Sequence, residues 1–423
     1  QIMEFYINDI SFANTYYGLQ AAARGYFGKD ADELTLSQTA YLCAIPNSPT
    51  YYNPYRHPEN AIERRDKILN DMLEMGYITQ EEYRSALAET IAVKSRGTPL
   101  HNYETTYAVD CAIRWMMERD GFEFQYGFQD QEAYEEYEAR YNEFYEQERN
   151  ALYTGGYTLY TSLDPQMQES VQAAVDEGLS FDEDTTENGV YLLQGAATVI
   201  DNETGLVTAI VGGRSQETDT YTLNRAFQSD RQPGSAVKPL IVYTPALENG
   251  FRSTTEVPNI SIDAAKEPGV DVEDLSGNPL TLRRGVELSR NGVAWYIYDN
   301  LTPQLGLAYL TQMRFDNIVP NDYYPATSLG GFTHGATTEE MAGAYAALAN
   351  GGVYRDPTCL VRVVDNKGND VFTAPSGVRV YQENSALLMT DILTGVIRRG
   401  TASSMGWNGE IEAAGKTGTT NGS

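Results

Sequence analysis

Pro233-Gly234-Ser235-Ala236-Val237-Lys238-Pro239 is the stretch on which the reading of this chain turns, with Ser289-Arg290-Asn291 and Lys416-Thr417-Gly418 following it in that order. A serine hydroxyl is a weak nucleophile until a neighbouring base takes its proton, and helix positions three apart share one face. Lys238 can therefore reach back toward the Ser235 oxygen. A desolvated lysine with a second positive group nearby loses its proton near neutral pH and can serve as that base. Lys238 is the sole lysine with a serine three residues before it, and Lys-Thr-Gly occurs once. Ser-x-Asn occurs twice. The earlier copy, Ser276-Gly277-Asn278, sits among turn formers between Leu275 and Pro279 and reads as a loop. The later copy follows the apolar-periodic Leu282, Val286 and Leu288 and precedes Val293-Ala294-Trp295, so Ser289 is expected to be the functional one.

Composition bounds the rest. A chain of 423 residues can hold two or three domains with their own cores, and 41% hydrophobic content excludes a disordered tail. With 59 acidic against 30 basic residues the net charge is −29. That balance argues against nucleic acid as a partner, since phosphate binding needs basic surface, and it favours solubility. Cys43, Cys111 and Cys359 show no metal-type spacing and do not pair off evenly, so they are expected as buried small hydrophobes. No histidine sits in a Ser-His-Asp or zinc arrangement, and His334 beside Gly335 reads as a turn residue. That scarcity favours lysine as the base. No apolar run reaches the roughly 18 residues of a membrane span, and no signal peptide is visible.

Residues 1–90 read as helical. Thr35-Leu36-Ser37-Gln38 and Thr79-Gln80-Glu81-Glu82 are capping boxes. Pro58 can open a further helix, with Ala61, Arg65, Ile68 and Met72 on one side and Gly76 as its stop. Residues 101–150 hold 13 acids against four arginines, with Tyr134, Tyr137, Tyr141, Phe144 and Tyr145 at helical spacing. The expectation there is an amphipathic helix laying its aromatic stripe on a neighbouring domain, with an acidic docking helix as the alternative. Tyr157, Leu159 and Thr161 suggest a strand, and Asp164-Pro165 caps a helix with Met167, Val171, Ala174 and Val175 on its apolar face. Two β-rich runs, Ala196 to Ile200 and Leu206 to Val211, flank the hairpin signal Asn202-Glu203-Thr204-Gly205. Strands followed by helices give an α+β domain.

The residues from Asn224-Arg225-Ala226-Phe227 through Lys238-Pro239 resemble the transpeptidase domain of class A penicillin-binding proteins. So do Ser328-Leu329-Gly330-Gly331, Met341-Ala342-Gly343-Ala344-Tyr345, the run from Ala349 to Tyr354, and Gly415 to Asn421. Residues 1–29, with Gly18-Leu19-Gln20 and Tyr26-Phe27-Gly28-Lys29, resemble the last third of a peptidoglycan glycosyltransferase domain, and Arg64 to Leu69 resembles its final motif. The resemblance implies a multidomain fold, an all-α glycosyltransferase remnant of the lysozyme-like family followed by an α+β penicillin-binding domain. It would place the remnant in 1–95, an acidic linker or junction in 96–190 and the transpeptidase in 191–423. Such a chain reads as part of a longer protein, incomplete beyond the Lys-Thr-Gly strand, with a membrane anchor before Gln1 and a place at the extracytoplasmic face of the cell membrane. Glu4 fits a motif position of the glycosyltransferase but not its catalytic carboxylate, which lies upstream in the family, so glycosyl transfer is not expected from this chain.

The resemblance also implies a chemistry. The substrate would be the D-alanyl-D-alanine end of a peptidoglycan stem peptide, in a parent protein that polymerises glycan from lipid II. Ser235 would attack the penultimate carbonyl, Lys238 accept its proton, Ser289 relay a proton to the leaving amine and Asn291 hold the substrate amide. Lys416, Thr417, Gly418 and Thr419 would bind the terminal carboxylate, an ammonium and hydroxyls suiting an anionic oxygen pair. The oxyanion hole would be the backbone N–H groups of Ser235 and Thr419. β-Lactams, which mimic the peptide end, would acylate Ser235; no cofactor and no metal is implied. Gly292 stands where the family tends to place a larger residue, and the expectation is a looser loop around Asn291. A serine β-lactamase or DD-carboxypeptidase shares all three motifs but carries no glycosyltransferase segment. A β-lactam-binding sensor or scaffold needs only acylation, so intact motifs leave it open.

Overall fold

Capping chemistry decides where two of the N-terminal helices begin. The computed structural model describes residues 7, 10–14, 16–94, 102–187, 189–215, 223–262 and 277–420, so Glu4, Ser276 and Asn421 lie outside the described residues. Thr35 Oγ1 accepts from the Gln38 N–H at 3.1 Å while Gln38 Oε1 accepts from the Thr35 N–H, opening the helix Leu36–Ala44. Thr79 and Glu82 repeat the exchange ahead of Gln80–Ala88. Pro58 starts the helix Pro58–Glu74, and Gly76 follows its end with φ +76°. The buried positions of that helix are Ala61, Arg65 and Leu69, one every four residues, with Ile68 and Met72 only partly covered beside them. Arg65 is buried because its guanidinium is fully engaged: it donates to Ser37 Oγ and the Glu89 carbonyl and pairs with Asp66 at 2.6 Å. These helices belong to one compact unit, residues 1–100 with 145–158 and 363–371.

The second unit comprises residues 101–144, 159–362 and 372–423. Its core gathers Val237, Leu240 and Ile241 with Ile297 of the helix Asn291–Leu301, Leu310 of Pro303–Gln312, Ala344 of Thr338–Ala349 and Ile392 of Glu383–Arg399. Each fully buried Leu or Ile contributes about 2 kcal/mol, so the segment carrying Ser235 and Lys238 is anchored by the apolar residues directly after it.

The strands Ala197–Ile200 and Val207–Val211 pair antiparallel around the expected turn, where Asp201 Oδ1 accepts from the N–H groups of Glu203 and Thr204. Beside them runs the helix Pro165–Gly178, capped by Asp164 as expected. Its buried face differs from the expected one. Met167 is 43% exposed and Ala174 is exposed, whereas Gln168 is buried. The Gln168 amide acts as a substitute strand: Nε2 donates to the Ile210 carbonyl and Oε1 accepts from the Ile210 N–H, both at 2.8 Å. A sheet edge satisfied by a side-chain amide draws a polar residue inward, which apolar periodicity does not anticipate.

The acidic region forms the helix Gln131–Thr154. Its aromatic stripe closes on the segment just before it. The Phe122 ring lies 5.8, 5.9 and 5.3 Å from those of Tyr137, Tyr141 and Phe144, and Phe128 meets Tyr134 and Tyr137. Tyr134 also stacks on His334. The cysteines divide: Cys111 and Cys359 are buried, while Cys43 is exposed, contrary to the expectation that all three are buried. Among the described residues, no helix is long and apolar enough to cross a membrane.

Candidate active site

Ser235 does not sit on an α-helix. Residues Gly234–Val237 form a 3-10 turn, Pro239–Tyr243 a wider π-turn, and only Thr244–Glu248 is α-helical. The change of winding preserves the logic of the spacing, because in a 3-10 turn residues three apart eclipse one another. Hydroxyl groups add side-chain hydrogen bonds to the carbonyls of this irregular winding. Tyr345 donates to the Ala236 carbonyl at 2.7 Å, Thr244 to Pro239 at 2.7 Å and Tyr381 to Leu240 at 2.8 Å. Upstream, Arg231 and Ala336 exchange both backbone hydrogen bonds, and Gln232 donates to the Phe332 carbonyl.

The start of the turn is pressed between two other segments. Gly234 has φ +53°, and a Cβ there would stand 2.4 Å from the Thr419 carbonyl oxygen. On the other side Gly330, at φ +87°, approaches so closely that a Cβ would meet the Gly234 backbone at 2.2 Å. Both contacts are backbone against backbone, which glycine alone permits. The Lys416-Thr417-Gly418-Thr419 segment therefore lies directly on the Ser235 turn. It is not part of a β-ladder among the described residues, in contrast to the strand expected; Thr417 Oγ1 lies 2.7 Å from Thr401 Oγ1, and the Gly415 N–H reaches the Leu393 carbonyl.

Ser289-Arg290-Asn291 forms the joint between the helices Leu282–Glu287 and Asn291–Leu301. Ser289 adopts φ +54°, a left-handed conformation uncommon outside glycine and a mark of a constrained site. The Ser289 and Arg290 N–H groups close back on the Val286 and Gly285 carbonyls. Gly292 does not loosen this joint. A Cβ on it would stand 2.2 Å from the Ile260 carbonyl oxygen, so glycine is what lets residues 259–260 brace the first turn of the helix carrying Asn291.

The second motif binds both lysines. Lys238 Nζ donates to Asn291 Oδ1 at 2.6 Å and to the Ser289 carbonyl at 3.1 Å, so its hydrogen bonds go to this motif rather than to Ser235 Oγ. Lys416 Nζ donates to Ser289 Oγ at 2.8 Å and to the Thr417 carbonyl. Lys238 is 0% exposed, and its loss of hydration, reinforced by the nearby charge of Lys416, lowers its pKa to about 7. Burial likewise lowers that of Lys416 to about 8. An ammonium has only donors, so Asn291 must turn its oxygen to Lys238, leaving its NH2 to donate elsewhere. Ser289, accepting from Lys416, keeps its own O–H to donate. Ser235 itself is half-buried.

Each of the residues predicted from sequence thus falls within three touching segments. Sequence reasoning missed three others. Tyr345 stood in a family-like run without an assigned role. Glu287 and Thr401 carried no motif signal, since the Thr401 N–H meets the Glu287 carbonyl across more than a hundred residues of chain.

Residues 1–73 match the transglycosylase family, and residues 195–422, more than half of the chain, match the penicillin binding protein transpeptidase domain. The chain is 30% identical to penicillin-binding protein 4 of Bacillus subtilis over 100% of its own length and 65% of that protein's. It is 31% identical to penicillin-binding protein 1A of Streptococcus oralis, covering 62% of it. The chain therefore spans somewhat less than two thirds of the length of these relatives. Among solved structures, penicillin-binding protein 1A of Haemophilus influenzae superposes with a TM-score of 0.66 at 23% identity, covering 99% of this chain and 77% of that one. The PonA1 protein of Mycobacterium tuberculosis, solved in complex with penicillin V, gives 0.54 at 22% identity over 75% of this chain and 77% of its own. These likenesses establish the fold: a helical transglycosylase portion followed by an α+β transpeptidase portion.

Proposed function

The chain belongs to the class A penicillin-binding proteins, and from that premise we propose that its second unit is a serine DD-transpeptidase cross-linking peptidoglycan stem peptides. The observation that carries this reading is the buried Lys238, near-neutral in pKa, joined through Ser289 and Asn291 to Lys416. The domains on this reading are 1–95, 96–190 and 191–423, and the site of action is the extracytoplasmic face of the cell membrane.

Neutral Lys238 takes the Ser235 proton as Oγ attacks the penultimate carbonyl of a D-alanyl-D-alanine end. The oxyanion points at the backbone N–H groups of Ser235 and Thr419, each such donor being worth about 3 kcal/mol. The Asn291 NH2 donates to the substrate amide carbonyl. Ser289 passes its hydroxyl proton to the departing D-alanine nitrogen as it takes one from Lys416, which recovers it from the incoming amine of the second stem, while Lys238 returns its proton to Ser235 as the ester breaks. The Lys416 ammonium and the hydroxyls of Thr417 and Thr419 face the terminal carboxylate. An amine of a second stem then attacks the acyl-serine ester, forms the cross-link and frees Ser235. β-Lactams present the same carboxylate and acyl carbonyl and would remain as acyl esters. The transglycosylase match over residues 1–73 disfavours a β-lactamase or a DD-carboxypeptidase.

The test is incubation of the chain with a fluorescent penicillin, beside Ser235→Ala, followed by intact-mass analysis. One adduct per wild-type chain, lost in the variant, is the expected result. No adduct on folded wild-type chain, or an adduct that survives in Ser235→Ala, overturns the assignment.

A further inference from the structure

Behind the second motif lies an ion cluster around one buried carboxylate that the chemistry above does not use. Glu287 is 2% exposed; its Oε1 accepts from Arg399 Nη2 at 2.5 Å and its Oε2 from Arg284 Nη1 at 3.1 Å. Gly395 makes room for the carboxylate, since a Cβ there would come within 2.4 Å of Glu287 Oε1. The backbone of the same residue continues the connection, because the Glu287 carbonyl accepts from the Thr401 N–H at 3.1 Å. Thr401 then meets the third motif, its Oγ1 standing 2.7 Å from Thr417 Oγ1.

We propose that Glu287 and Thr401 are positioning residues that fix the Thr417 hydroxyl for an anionic ligand; this rests on the acyl-serine reading above. The second and third motifs are joined twice. One link is direct, from Lys416 Nζ to Ser289 Oγ at 2.8 Å. The other runs from Glu287, two residues before Ser289, through Thr401 to Thr417, next to Lys416. Together they close a ring of covalent and hydrogen bonds that sets the spacing of the two motifs. The direction of the hydroxyl pair gives the ring its chemical consequence. A threonine hydroxyl has one proton to donate and can accept on its oxygen. A carboxylate accepts only, so Thr417 must spend its proton on the ligand, and Thr401 must then be the donor to Thr417. Thr401 thereby orients the Thr417 proton toward the anion. Glu287 holds Thr401 in place because its carboxylate, buried and paired with two arginines, keeps residues 399–401 against the end of Leu282–Glu287; breaking such a pair is costly.

This predicts an effect selective for ligand charge. Acylation of Ser235 is measured for a penicillin and for its methyl ester, separating the dissociation constant from the limiting acylation rate. Thr401→Val weakens binding of the free acid about fivefold to tenfold, the worth of one hydrogen bond. It leaves the limiting rate and the ester unchanged, and Thr401→Ser restores the acid. Glu287→Gln gives the same acid-selective loss, about threefold, by weakening the carboxylate's hold on Arg399 and so on residues 399–401. Equal losses for acid and ester, or no loss in a folded Thr401→Val chain, overturn the proposal while leaving the acyl-serine reading intact. A wild type that forms no adduct overturns both.

Discussion

Replacing Lys416 with methionine tests how the two lysines divide their work. On the proposed mechanism Lys238, with a pKa of about 7, must be neutral to accept the Ser235 proton, so acylation rises as pH passes 7. Lys416, with a pKa of about 8, must be charged to hold a carboxylate, so acylation falls again above 8. The second-order rate constant, which reports ionisations of the free enzyme, should trace a narrow bell centred between the two. Both ammonium nitrogens hydrogen-bond atoms of Ser289, which keeps them within roughly 10 Å of one another. At an effective dielectric constant of about 20 their repulsion is about 2 kcal/mol, or roughly 1.5 pKa units. The partial exposure of Lys416 screens this to about one unit. Lys416→Met removes that repulsion, raises the Lys238 pKa and moves the rising limb from near 7 to about 8. It also abolishes the falling limb and lowers the maximum about tenfold to a hundredfold, as expected for a lost charge-assisted hydrogen bond. The assay is stopped-flow acylation by a chromogenic cephalosporin between pH 5.5 and 9.5. A rising limb that stays near 7, or a falling limb that survives, refutes the assignment of those limbs.

Two substitutions probe the scaffold. Gly292→Ala forces a Cβ to within 2.2 Å of the Ile260 carbonyl; it should cost about 1–3 kcal/mol, and an unchanged melting temperature would show that this contact relaxes freely. Gln168→Ala strips both partners from the Ile210 peptide groups on the sheet edge, at about 1–3 kcal/mol for each group left unpaired. The Ile210 amide should then exchange with solvent much faster in a hydrogen-exchange experiment, and equal rates would contradict the role of the amide.

Local chemistry was readable from the chain because it acts over a few residues. Thr35 with Gln38 and Thr79 with Glu82 announce helix starts because a cap satisfies N–H groups three residues ahead. The hairpin at residues 201–205 was legible for the same reason. Elements whose form depends on distant partners were not legible. Gln168 turns inward because a sheet edge from forty residues later needs its amide. Gly292 looked like slack and proved to be the space through which Ile260 braces the helix of Asn291.

The sequence by itself determined the order of the motifs, the residue types able to do acyl-transfer chemistry, and the division into a helical and a mixed portion. Those follow from side-chain chemistry and from periodicity along the chain. Only the tertiary structure decided that Ser289 and Asn291 bind both lysines, that Lys238 is stripped of water, and that Glu287 and Thr401 tie the second motif to the third. Burial and charge proximity are properties of packed space, and a lysine becomes a base at neutral pH only when segments remote in sequence close around it.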